Sequence, residues 1–406
     1  MSEIWKDNFS QCSKNSRPSP IREILAVIKN PGMISFAGGM PAPEVFPLVE
    51  FWECLEELKK KGREAMNYGT TEGEICLREF LIEWLKPRLG KTLALNQTLI
   101  TTGSQQALDL FGWAMLDQGD YVIAEDPTYL AAINTFNNHG ASFIGVPMDG
   151  DGMEVDKLPG VIEKARSEGK NVKFIYTVIN FQNPAGATLS AERRKKLVEI
   201  AAKYRIPVFE DDPYGFVRYD GEHLPSAFSF DNEGLVIYAG SFSKILSPGV
   251  RIGWVTGDPT IVRQMVIFKQ TTDLCSSPIT QMATYEFCKR GLLDAHLPSI
   301  ISNYRVKRDA MEESFNRHLP SRGVKWVTPK GGFFYWADFG GLDAMELAKK
   351  SLEKKLAFVP GVPFCIDPAV GRSRARINFT YSTPEAIEEG TIRLAEAIDE
   401  MRMPAK

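Results

Sequence analysis

The 406-residue sequence has few of the features that would tie a protein to a membrane, a nucleic acid or an oxidising compartment. No apolar run is long enough to cross a bilayer, and the start, Met1-Ser-Glu-Ile-Trp-Lys-Asp, is too polar for a signal peptide. The net charge is −3 without any basic block, so nucleic acid is not an expected partner. Neither an internal repeat nor a low-complexity tract is present. We therefore expect a cytoplasmic globular protein that binds neither membrane nor nucleic acid, and we predict no metal site.

Cysteine is sparse, and no two of the six form a close Cys-x-x-Cys pair. The six are Cys12, Cys54, Cys76, Cys275, Cys288 and Cys365. Reduced and mostly buried thiols are expected for such a pattern, as in a cytosolic protein. Hydrophobic residues make up 44% and charged residues 24% of the chain, which is ordinary globular composition. The chain is too long for one small core, so we expect two domains.

The most informative stretch is Ser241-Phe242-Ser243-Lys244. It follows an apolar, β-branched run at 235–240 that predicts a strand buried on both faces, and residues 251–255 predict a second short strand. Serine hydroxyls together with the Arg251 guanidinium suit a phosphate, because arginine can donate two parallel hydrogen bonds. A lysine held beside such a phosphate suggests a Schiff base to pyridoxal phosphate, and the alternative is an ordinary surface turn.

Predicted strands and helices alternate from about residue 98 to 255, which indicates an α/β fold with a mostly parallel sheet covered by helices. The other predicted strands of this region are 98–102, 121–124, 142–147, 173–178 and 206–209. Open sheets of this class bind ligands at the carboxyl ends of their strands. Candidate ligand residues follow these ends: Ser104, Tyr129, Asn183, Asp211, Tyr214 and Lys244. Their number favours a binding site over a set of ordinary surface loops.

A phosphate site is predicted where a strand and a glycine precede a helix. Ser104 and Gln105 begin that helix, and its free N–H groups and positive dipole end can bind phosphate. Ser104 is also an ordinary helix cap, and the two roles are compatible. The predicted phosphate site consists of Gly103, Ser104, Gln105, Ser241, Ser243 and Arg251.

An electron-sink cofactor also needs protein groups around its ring. Lys244 would hold the aldehyde, and the Asp211 carboxylate would keep the pyridine nitrogen protonated. Tyr214 and Asn183 would donate hydrogen bonds to the ring oxygen, and Tyr129 would stack on the ring. Taken singly, these residues also have ordinary explanations, as a solvated acid, a core tyrosine or a loop aromatic.

Two local choices stay open at this point. Asp212 is the alternative to Asp211, which we prefer because of its spacing from Tyr214. The Asn183-Pro184-Ala185-Gly186 turn after a strand is of a kind that can carry a cis proline and project Asn183 into a site.

The C-terminal part changes character. Helices are predicted at 279–318 and 383–401, and strands at 331–337, 358–361 and 374–379. Strands flanked by helices indicate a smaller α+β domain, with which we expect the N-terminal arm to pack. We predict an arm and part of the small domain at 1–48, a large cofactor-binding domain at 49–290 and a small domain at 291–406.

Seven motifs occur in one order along nearly the whole chain, within residues 34 to 379. They are Asn67-Tyr68-Gly69, Gly103-Ser104-Gln105-Gln106, Asn183-Pro184-x-Gly186, Asp211-x-x-Tyr214, Ser241-x-Ser243-Lys244, Arg251-x-Gly253 and Arg374-x-Arg376. With them the sequence resembles the class I/II aminotransferases, which are pyridoxal-phosphate enzymes of fold type I. The resemblance implies a large domain with a mostly parallel sheet of the seven-stranded type and a smaller α+β domain. It also implies transfer of an amino group from an L-amino acid to a 2-oxo acid such as 2-oxoglutarate.

The resemblance assigns further roles that the residues alone do not. By it, Lys244 carries the cofactor, Arg376 binds the substrate α-carboxylate, and Gly39 offers a backbone N–H to the same carboxylate. Tyr68 is similar to the residue that reaches the phosphate of the neighbouring subunit, which implies a homodimer with shared sites.

Within the family, Phe36-Ala-Gly-Gly and Asn180-Phe-Gln-Asn-Pro are most similar to the branch of 2-aminoadipate and aromatic aminotransferases. Ile179, Ala185 and Ser247 depart from this branch conservatively. They remove no reacting group, but they weaken the assignment to a subgroup.

Arg22 lies on a short helix predicted at 21–28. In the aminoadipate-type branch, an arginine on such a helix can meet the distal carboxylate of an acidic substrate. Glutamate or 2-aminoadipate would then be substrates alongside leucine or aromatic amino acids. The alternative is a solvated arginine paired with a neighbour, which contributes little.

Two other functions occur with this fold, because fold alone does not decide function. A decarboxylase is disfavoured, since Arg376 would hold the carboxylate that must leave, whereas a β-lyase stays open. A transcription regulator would need an added DNA-binding region, and the 35 residues before Phe36 are too few for one.

Overall fold

The computed structural model describes residues 3–16 and 31–403, and the structural findings refer to these ranges. Arg22 and the helix predicted at 21–28 lie outside them. The strands are β1 (Ile34–Ser35), β2 (Thr98–Thr101), β3 (Tyr121–Asp126), β4 (Ser142–Asp149), β5 (Gly152–Met153), β6 (Val172–Thr177), β7 (Val208–Asp211), β8 (Val236–Ser241), β9 (Gly253–Thr256), β10 (Phe334–Asp338), β11 (Leu356–Ala357), β12 (Val359–Pro360) and β13 (Arg374–Asn378).

The α-helices lie before, between and after these strands. They are α1 (Glu3–Asp7), α2 (Gln11–Asn15), α3 (Leu48–Glu57), α4 (Ile75–Leu89), α5 (Ser104–Met115), α6 (Leu130–Asn138), α7 (Leu158–Ser167), α8 (Ala191–Tyr204), α9 (Ala227–Phe230), α10 (Pro259–Thr272), α11 (Pro278–Lys289), α12 (Leu292–His318), α13 (Ala344–Glu353), α14 (Pro368–Gly371) and α15 (Pro384–Arg402).

Eight strands form one sheet in the order β2-β9-β8-β7-β6-β3-β4-β5. The neighbouring pairs from β8 to β4 run parallel, whereas β9 is antiparallel to both β2 and β8. The predicted mostly parallel α/β sheet is therefore confirmed. It has one strand more than the seven-stranded type, because the two-residue β5 turns back on the end of β4. A strand of two residues has no periodicity that a sequence can reveal.

Helices cover this sheet and bury its centre. All residues of β7 and β8 are buried, and for β8 the apolar run at 235–240 predicts this. From α5, the Phe111 ring lies 4.8 Å from the Phe174 ring of β6 and 4.9 Å from the Phe209 ring of β7. Burying one such side chain stabilises the fold by about 1.5–3 kcal/mol, so contacts of this kind hold the layers together.

Local signals set the bounds of the helices, and α8 is an example. The Ser190 hydroxyl accepts a hydrogen bond from the Arg193 N–H at 3.3 Å and so caps the helix. The helix ends at Arg205, whose φ of 53° is left-handed. Its buried face includes Leu197 and Ile200.

A second sheet of three strands has the order β10-β13-β12. β1 pairs in parallel with β11, which joins the segment before residue 48 to the C-terminal part of the chain. The domain limits at 48 and 290 stay predictions, and residue 290 falls in the turn between α11 and α12.

Within residues 3–16 and 31–403, no helix is long and apolar enough to cross a membrane. In the same ranges no group of three or more His, Cys, Asp or Glu side chains is placed to hold a metal ion. All six cysteines are free: Cys54 and Cys288 are buried, Cys12 is exposed and the other three are half-buried.

Candidate active site

A cavity of about 430 Å³ lies at the carboxyl ends of β6, β7 and β8. Twelve of the fifteen predicted site residues line it: Gly39, Ser104, Gln105, Tyr129, Asn183, Asp211, Tyr214, Ser241, Ser243, Lys244, Arg251 and Arg376. Met40, Val178, Pro213 and Pro248 complete the lining. The site lies where open α/β sheets bind ligands, at the carboxyl ends of the strands, and it contains residues up to 337 positions apart in the sequence (39 to 376).

Lys244 ends a 3₁₀ turn, Phe242–Lys244, that directly follows β8. The Ser241 hydroxyl accepts a hydrogen bond from the Ser243 N–H at 3.1 Å, and this bond caps the turn. The Lys244 Nζ atom donates to the Gly39 carbonyl oxygen at 2.9 Å. Burial, and then the positive charges of Arg376 and Arg251, lower the pKa of Lys244 to about 8. The amine can therefore lose its proton near neutral pH, as a nucleophile or a base must.

Asp211 is the last residue of β7 and the only acidic residue of the cavity lining within the described ranges. Its Oδ2 atom accepts a hydrogen bond from the Tyr176 hydroxyl at 2.8 Å. Its Oδ1 atom is buried and has no hydrogen-bond partner among the described residues. Burial raises the pKa of Asp211 to about 7, against the effect of the Tyr176 hydrogen bond. One oxygen of this buried carboxyl, Oδ1, is thus free to accept a hydrogen bond from a ligand.

Asp212, the alternative to Asp211, lies in a different environment. Its Oδ2 atom accepts two hydrogen bonds from Arg88, at 2.7 and 3.0 Å, and its Oδ1 atom accepts one from Asn180 at 2.8 Å. Burial alone would raise the pKa of Asp212, but the Arg88 charge and these hydrogen bonds lower it. Asp212 is therefore an internally paired carboxylate and does not line the cavity.

Asn183 and the two tyrosines form another part of the wall. A cis peptide bond joins Asn183 to Pro184, as the turn sequence predicted, and the Asn183 Oδ1 atom accepts a hydrogen bond from Arg376 at 3.0 Å. Burial raises the pKa of Tyr129 to about 12 and that of Tyr214 further. Both hydroxyls stay protonated at neutral pH and can donate hydrogen bonds.

The turn before α5 is shaped by Gly103, whose φ of 76° is left-handed. A Cβ atom there would lie 2.4 Å from Arg251 Nη2, so only glycine leaves room for this guanidinium. Arg251 also has a left-handed φ, 53°, which no strand residue adopts. For this reason the strand predicted at 251–255 begins only at Gly253. Gly103 itself shapes the site without being part of the cavity lining.

Arg376 enters the cavity from β13 and is 2% exposed. Its Nη2 atom donates to the Ala37 carbonyl oxygen at 2.7 Å, and its guanidinium lies 4.4 Å from the Phe334 ring and 5.0 Å from the Phe364 ring. No carboxylate of the described residues pairs with it, and its buried Nε atom has no partner among them. Burial lowers the pKa of Arg376 to about 10, so it stays charged at neutral pH. A buried cation without a counter-ion is a candidate site for an anionic ligand.

Comparison with protein families matches residues 44–394 to the family described as aminotransferase class I and II. The chain belongs to the class I and II aminotransferases. The predicted family and fold type I are thereby confirmed, as are transfer of an amino group between an amino acid and a 2-oxo acid and pyridoxal phosphate as the cofactor.

Three relatives place the aminotransferase in its branch. It is 42% identical to aromatic-amino-acid aminotransferase 1 of Thermococcus litoralis, over 98% of this chain and 95% of the relative. The crystal structure of the kynurenine aminotransferase of Pyrococcus horikoshii is 43% identical over 99% of both chains, with a TM-score of 0.94. The α-aminoadipate aminotransferase of Thermus thermophilus, complexed with N-(5'-phosphopyridoxyl)-L-leucine, is 36% identical over 98% of both chains, with a TM-score of 0.89.

The cavity of this aminotransferase fits pyridoxal phosphate on its own geometry. The unpaired Asp211 Oδ1 atom is placed to accept a hydrogen bond from a protonated ring nitrogen. The start of α5, the Ser243 hydroxyl and the Arg251 guanidinium offer donors and positive charge of the kind that binds a phosphate. Lys244 lines the same space and offers an amine of the kind that forms a Schiff base with an aldehyde.

Some site residues lie elsewhere or were not predicted. Tyr68 is 80% exposed and does not line the cavity of its own chain. Arg22 is outside the described residues. The sequence did not predict Tyr176 as the partner of Asp211, because a tyrosine within the mostly apolar β6 strand is typical of a core residue. Met40 and Val178 were missed because an apolar side chain beside a site carries no chemical signal.

Proposed function

We propose that this aminotransferase uses Lys244 to attach pyridoxal phosphate and then to move the proton of the substrate Cα. The observation that carries the proposal is that the Lys244 amine, the Asp211 Oδ1 atom without a partner among the described residues, and the Arg376 guanidinium line one cavity. A base, an acceptor for a protonated ring nitrogen and a carboxylate site are the three groups that aminotransfer requires.

The proposed roles follow from the chemistry of each group. Bound pyridoxal phosphate supplies an electron sink for the negative charge left on Cα. Asp211 keeps a proton on the ring nitrogen through its opposite charge, and Arg376 binds the substrate α-carboxylate. Once the substrate amine has displaced it from the cofactor, Lys244 would take the proton from Cα and deliver it to the carbon that held the aldehyde oxygen. Tyr214 would donate a hydrogen bond to the ring oxygen. Water would release the 2-oxo acid product and leave the amino group on the cofactor, from which a second 2-oxo acid would receive it by the same steps in reverse.

The remaining proposed contacts hold the cofactor and substrate in place. Asn183 has an oxygen that accepts from Arg376, which leaves its amide N–H groups to donate to the ring oxygen. Tyr129 stacks on the ring, and the Gly39 N–H donates to the substrate carboxylate. The phosphate is bound by Gly103, Ser104, Gln105, Ser241, Ser243 and Arg251.

We further propose that the substrates are aromatic amino acids and the acidic amino acids glutamate and 2-aminoadipate, with 2-oxoglutarate as the acceptor. Support comes from the names of the relatives, one of which acts on aromatic amino acids and another on α-aminoadipate. The partly exposed Met40 at the cavity wall suits an apolar side chain, whereas an acidic one needs a cation. The proposal for that cation, Arg22, rests on the sequence alone.

The Arg22→Ala variant is expected to raise the KM for glutamate and 2-aminoadipate by about 10- to 100-fold, since one charge-assisted hydrogen bond contributes about 1.5–3 kcal/mol. The KM values for phenylalanine, tyrosine and leucine should change little. Initial rates with a panel of amino acids and 2-oxoglutarate measure both sets in one experiment. Arg22→Lys is the matched control, because it keeps the charge. A uniform change in both classes would show that Arg22 does not select the side chain.

We also propose a homodimer in which Tyr68 reaches the phosphate of the partner's site. Tyr68 is 80% exposed, as a residue that serves another chain would be in a single protomer. Nearby in the sequence, large apolar side chains are exposed by more than half: Leu48, Val49, Trp52 and Met66. Exposed apolar groups of this number mark an interaction surface.

Mixing two defective chains tests the shared site. Tyr68→Phe alone is expected to bind pyridoxal phosphate about 10-fold more weakly, through loss of one hydrogen bond to a charged group. Lys244→Ala chains keep Tyr68, so a mixed dimer should contain one site with both residues intact. Fluorescence titration should then recover a fraction of sites with native affinity. No recovery after demonstrated subunit exchange, or a monomer in sedimentation, would contradict the proposal.

A cytoplasmic location is proposed as well. Six free thiols suit a reducing compartment, where disulfides are rare. Cell fractionation with an antibody against the native protein tests the assignment.

A further inference from the structure

Lys269 on α10 is a buried lysine that lines no part of the cavity and has no part in the proposed reaction. Its Nζ atom donates hydrogen bonds to Gln106 Oε1 at 2.7 Å, to Asp273 Oδ1 at 2.8 Å and to Ser276 Oγ at 3.1 Å. An ammonium group removed from water is costly unless it is paired and hydrogen-bonded, as this one is. Such a fully connected group fixes the positions of its partners.

Two of these partners lead to Thr102, the last residue before the turn that begins α5. Gln106 Oε1 accepts a hydrogen bond from the Thr102 N–H at 2.8 Å, and the Thr102 hydroxyl donates to Asp273 Oδ2 at 2.8 Å. The Thr102 carbonyl oxygen accepts from Arg251 Nη2 at 3.2 Å. Every polar group of Thr102 is therefore engaged, two of them by partners of Lys269 and one by the arginine of the proposed phosphate site.

The turn after Thr102 is closely packed against Arg251 and Gly253. A Cβ atom on Gly103 would lie 2.4 Å from Arg251 Nη2. One on Gly253 would lie 2.8 Å from both the Gly103 carbonyl carbon and the Ser104 nitrogen. A displacement of Thr102 would thus move the first N–H groups of α5 and the Arg251 guanidinium together, because closely packed parts do not shift independently.

We propose that Lys269 is a positioning residue for the cofactor phosphate. Through Gln106 and Asp273 it holds Thr102, and thereby keeps the start of α5 and Arg251 in the arrangement that binds phosphate. The inference rests on the proposed phosphate site. A role that only joins α10 to α5 would change stability, but it would not change how well the protein distinguishes a phosphorylated from an unphosphorylated cofactor.

The experiment compares pyridoxal phosphate with pyridoxal, which lacks the phosphate, by fluorescence titration of the full-length chain. Lys269→Met is expected to weaken binding of pyridoxal phosphate by about 10- to 100-fold, the usual effect of losing a group that orients a direct ligand. Binding of pyridoxal should weaken by less than about threefold, since its ring and aldehyde contacts are unchanged. Asp273→Asn, which keeps the side-chain shape, should give a smaller effect of the same sign.

Lys307→Met is the matched control. Lys307 is also buried, and its Nζ atom donates to Glu44 and to the Thr380 carbonyl oxygen, away from the phosphate turn. This variant should leave the ratio of the two affinities unchanged. Equal weakening of both ligands in Lys269→Met, or of neither, would overturn the inference. If Arg251→Ala loses the preference for the phosphorylated ligand while Lys269→Met keeps it, the result supports the phosphate site and contradicts the positioning role of Lys269. If the native chain shows no preference, the phosphate site itself is wrong.

Discussion

The Lys244→Ala variant is expected to lose aminotransfer by at least about four orders of magnitude, because one side chain is assigned both covalent attachment of the cofactor and the proton transfer. Proton transfer by a positioned base contributes about 10²–10⁴-fold by itself. The burial that lowers the Lys244 pKa to about 8 provides a neutral amine near physiological pH.

Borohydride reduction followed by peptide mapping measures the attachment directly. The native chain should carry the reduced cofactor on the peptide that contains Lys244, and Lys244→Ala should carry none. Since the neutral fraction of an amine rises as the pH passes its pKa, attachment to the cofactor-free chain should accelerate with pH up to about 8 and then level off. Lys307→Met, in which a different buried lysine is lost, should keep the label. A reducible bond at another lysine in Lys244→Ala would show that the assignment is wrong.

Much of this arrangement follows from the sequence because its signals are local. The apolar run of β8 is typical of a strand that is buried on both faces. The cap of α8 is equally local, because the Ser190 hydroxyl accepts a hydrogen bond from the N–H of Arg193, three residues later. Lys244 and Asp211 could be placed in one site because parallel strands end at one edge of the sheet. The family motifs then added Arg376, which no local pattern places near Lys244.

The remainder depends on contacts between distant residues, and such contacts leave no pattern in one sequence. Lys269 is one basic residue in an amphipathic helix, and only the fold shows that it meets Gln106, 163 positions earlier in the chain. The guanidinium of Arg251, whose φ is left-handed, packs against Gly103 from a distant part of the chain, and the sequence of 251–255 alone predicts a strand that includes this residue. The pairing of Asp212 with Arg88 likewise joins the residue after β7 to α4 across 124 positions.

The Asp211→Asn variant is expected to lower turnover by roughly two to four orders of magnitude. An asparagine cannot stabilise a proton on the ring nitrogen by charge, and removing one partner of a buried ion pair costs about 3–5 kcal/mol, at 1.36 kcal/mol for each factor of ten. Absorbance spectra and single-turnover rates with glutamate measure the loss. The cofactor should still attach, because Lys244 is unchanged.

The Asp212→Asn variant is the matched comparison, since it changes the same side chain one residue later. Asp212 pairs with Arg88 at 2.7 Å with its side chain fully buried, so its loss leaves an uncompensated guanidinium and should cost about 3–5 kcal/mol of unfolding free energy. Its turnover per folded molecule should fall less than that of Asp211→Asn. A half-exposed pair, Arg322 with Asp399, provides the surface reference, and Asp399→Asn should cost less than about 1 kcal/mol. The reverse ranking of turnover would show that the two aspartates have been assigned the wrong way round.

The pH dependence of stability separates loss of function from loss of fold in Asp211→Asn. In the cofactor-free chain, burial raises the Asp211 pKa from 3.8 to about 7, so between these values the folded state binds more protons than the unfolded state. The contribution of this carboxyl to stability is therefore fully present below about pH 4 and is lost as the pH rises through 7. Asparagine does not titrate, so the variant should gain stability relative to the native chain between pH 5 and pH 8. Denaturant unfolding of both cofactor-free chains across this range measures the difference. A variant that loses stability relative to the native chain over the same interval would contradict the placement of Asp211 as a buried carboxyl whose Oδ1 atom has no donor.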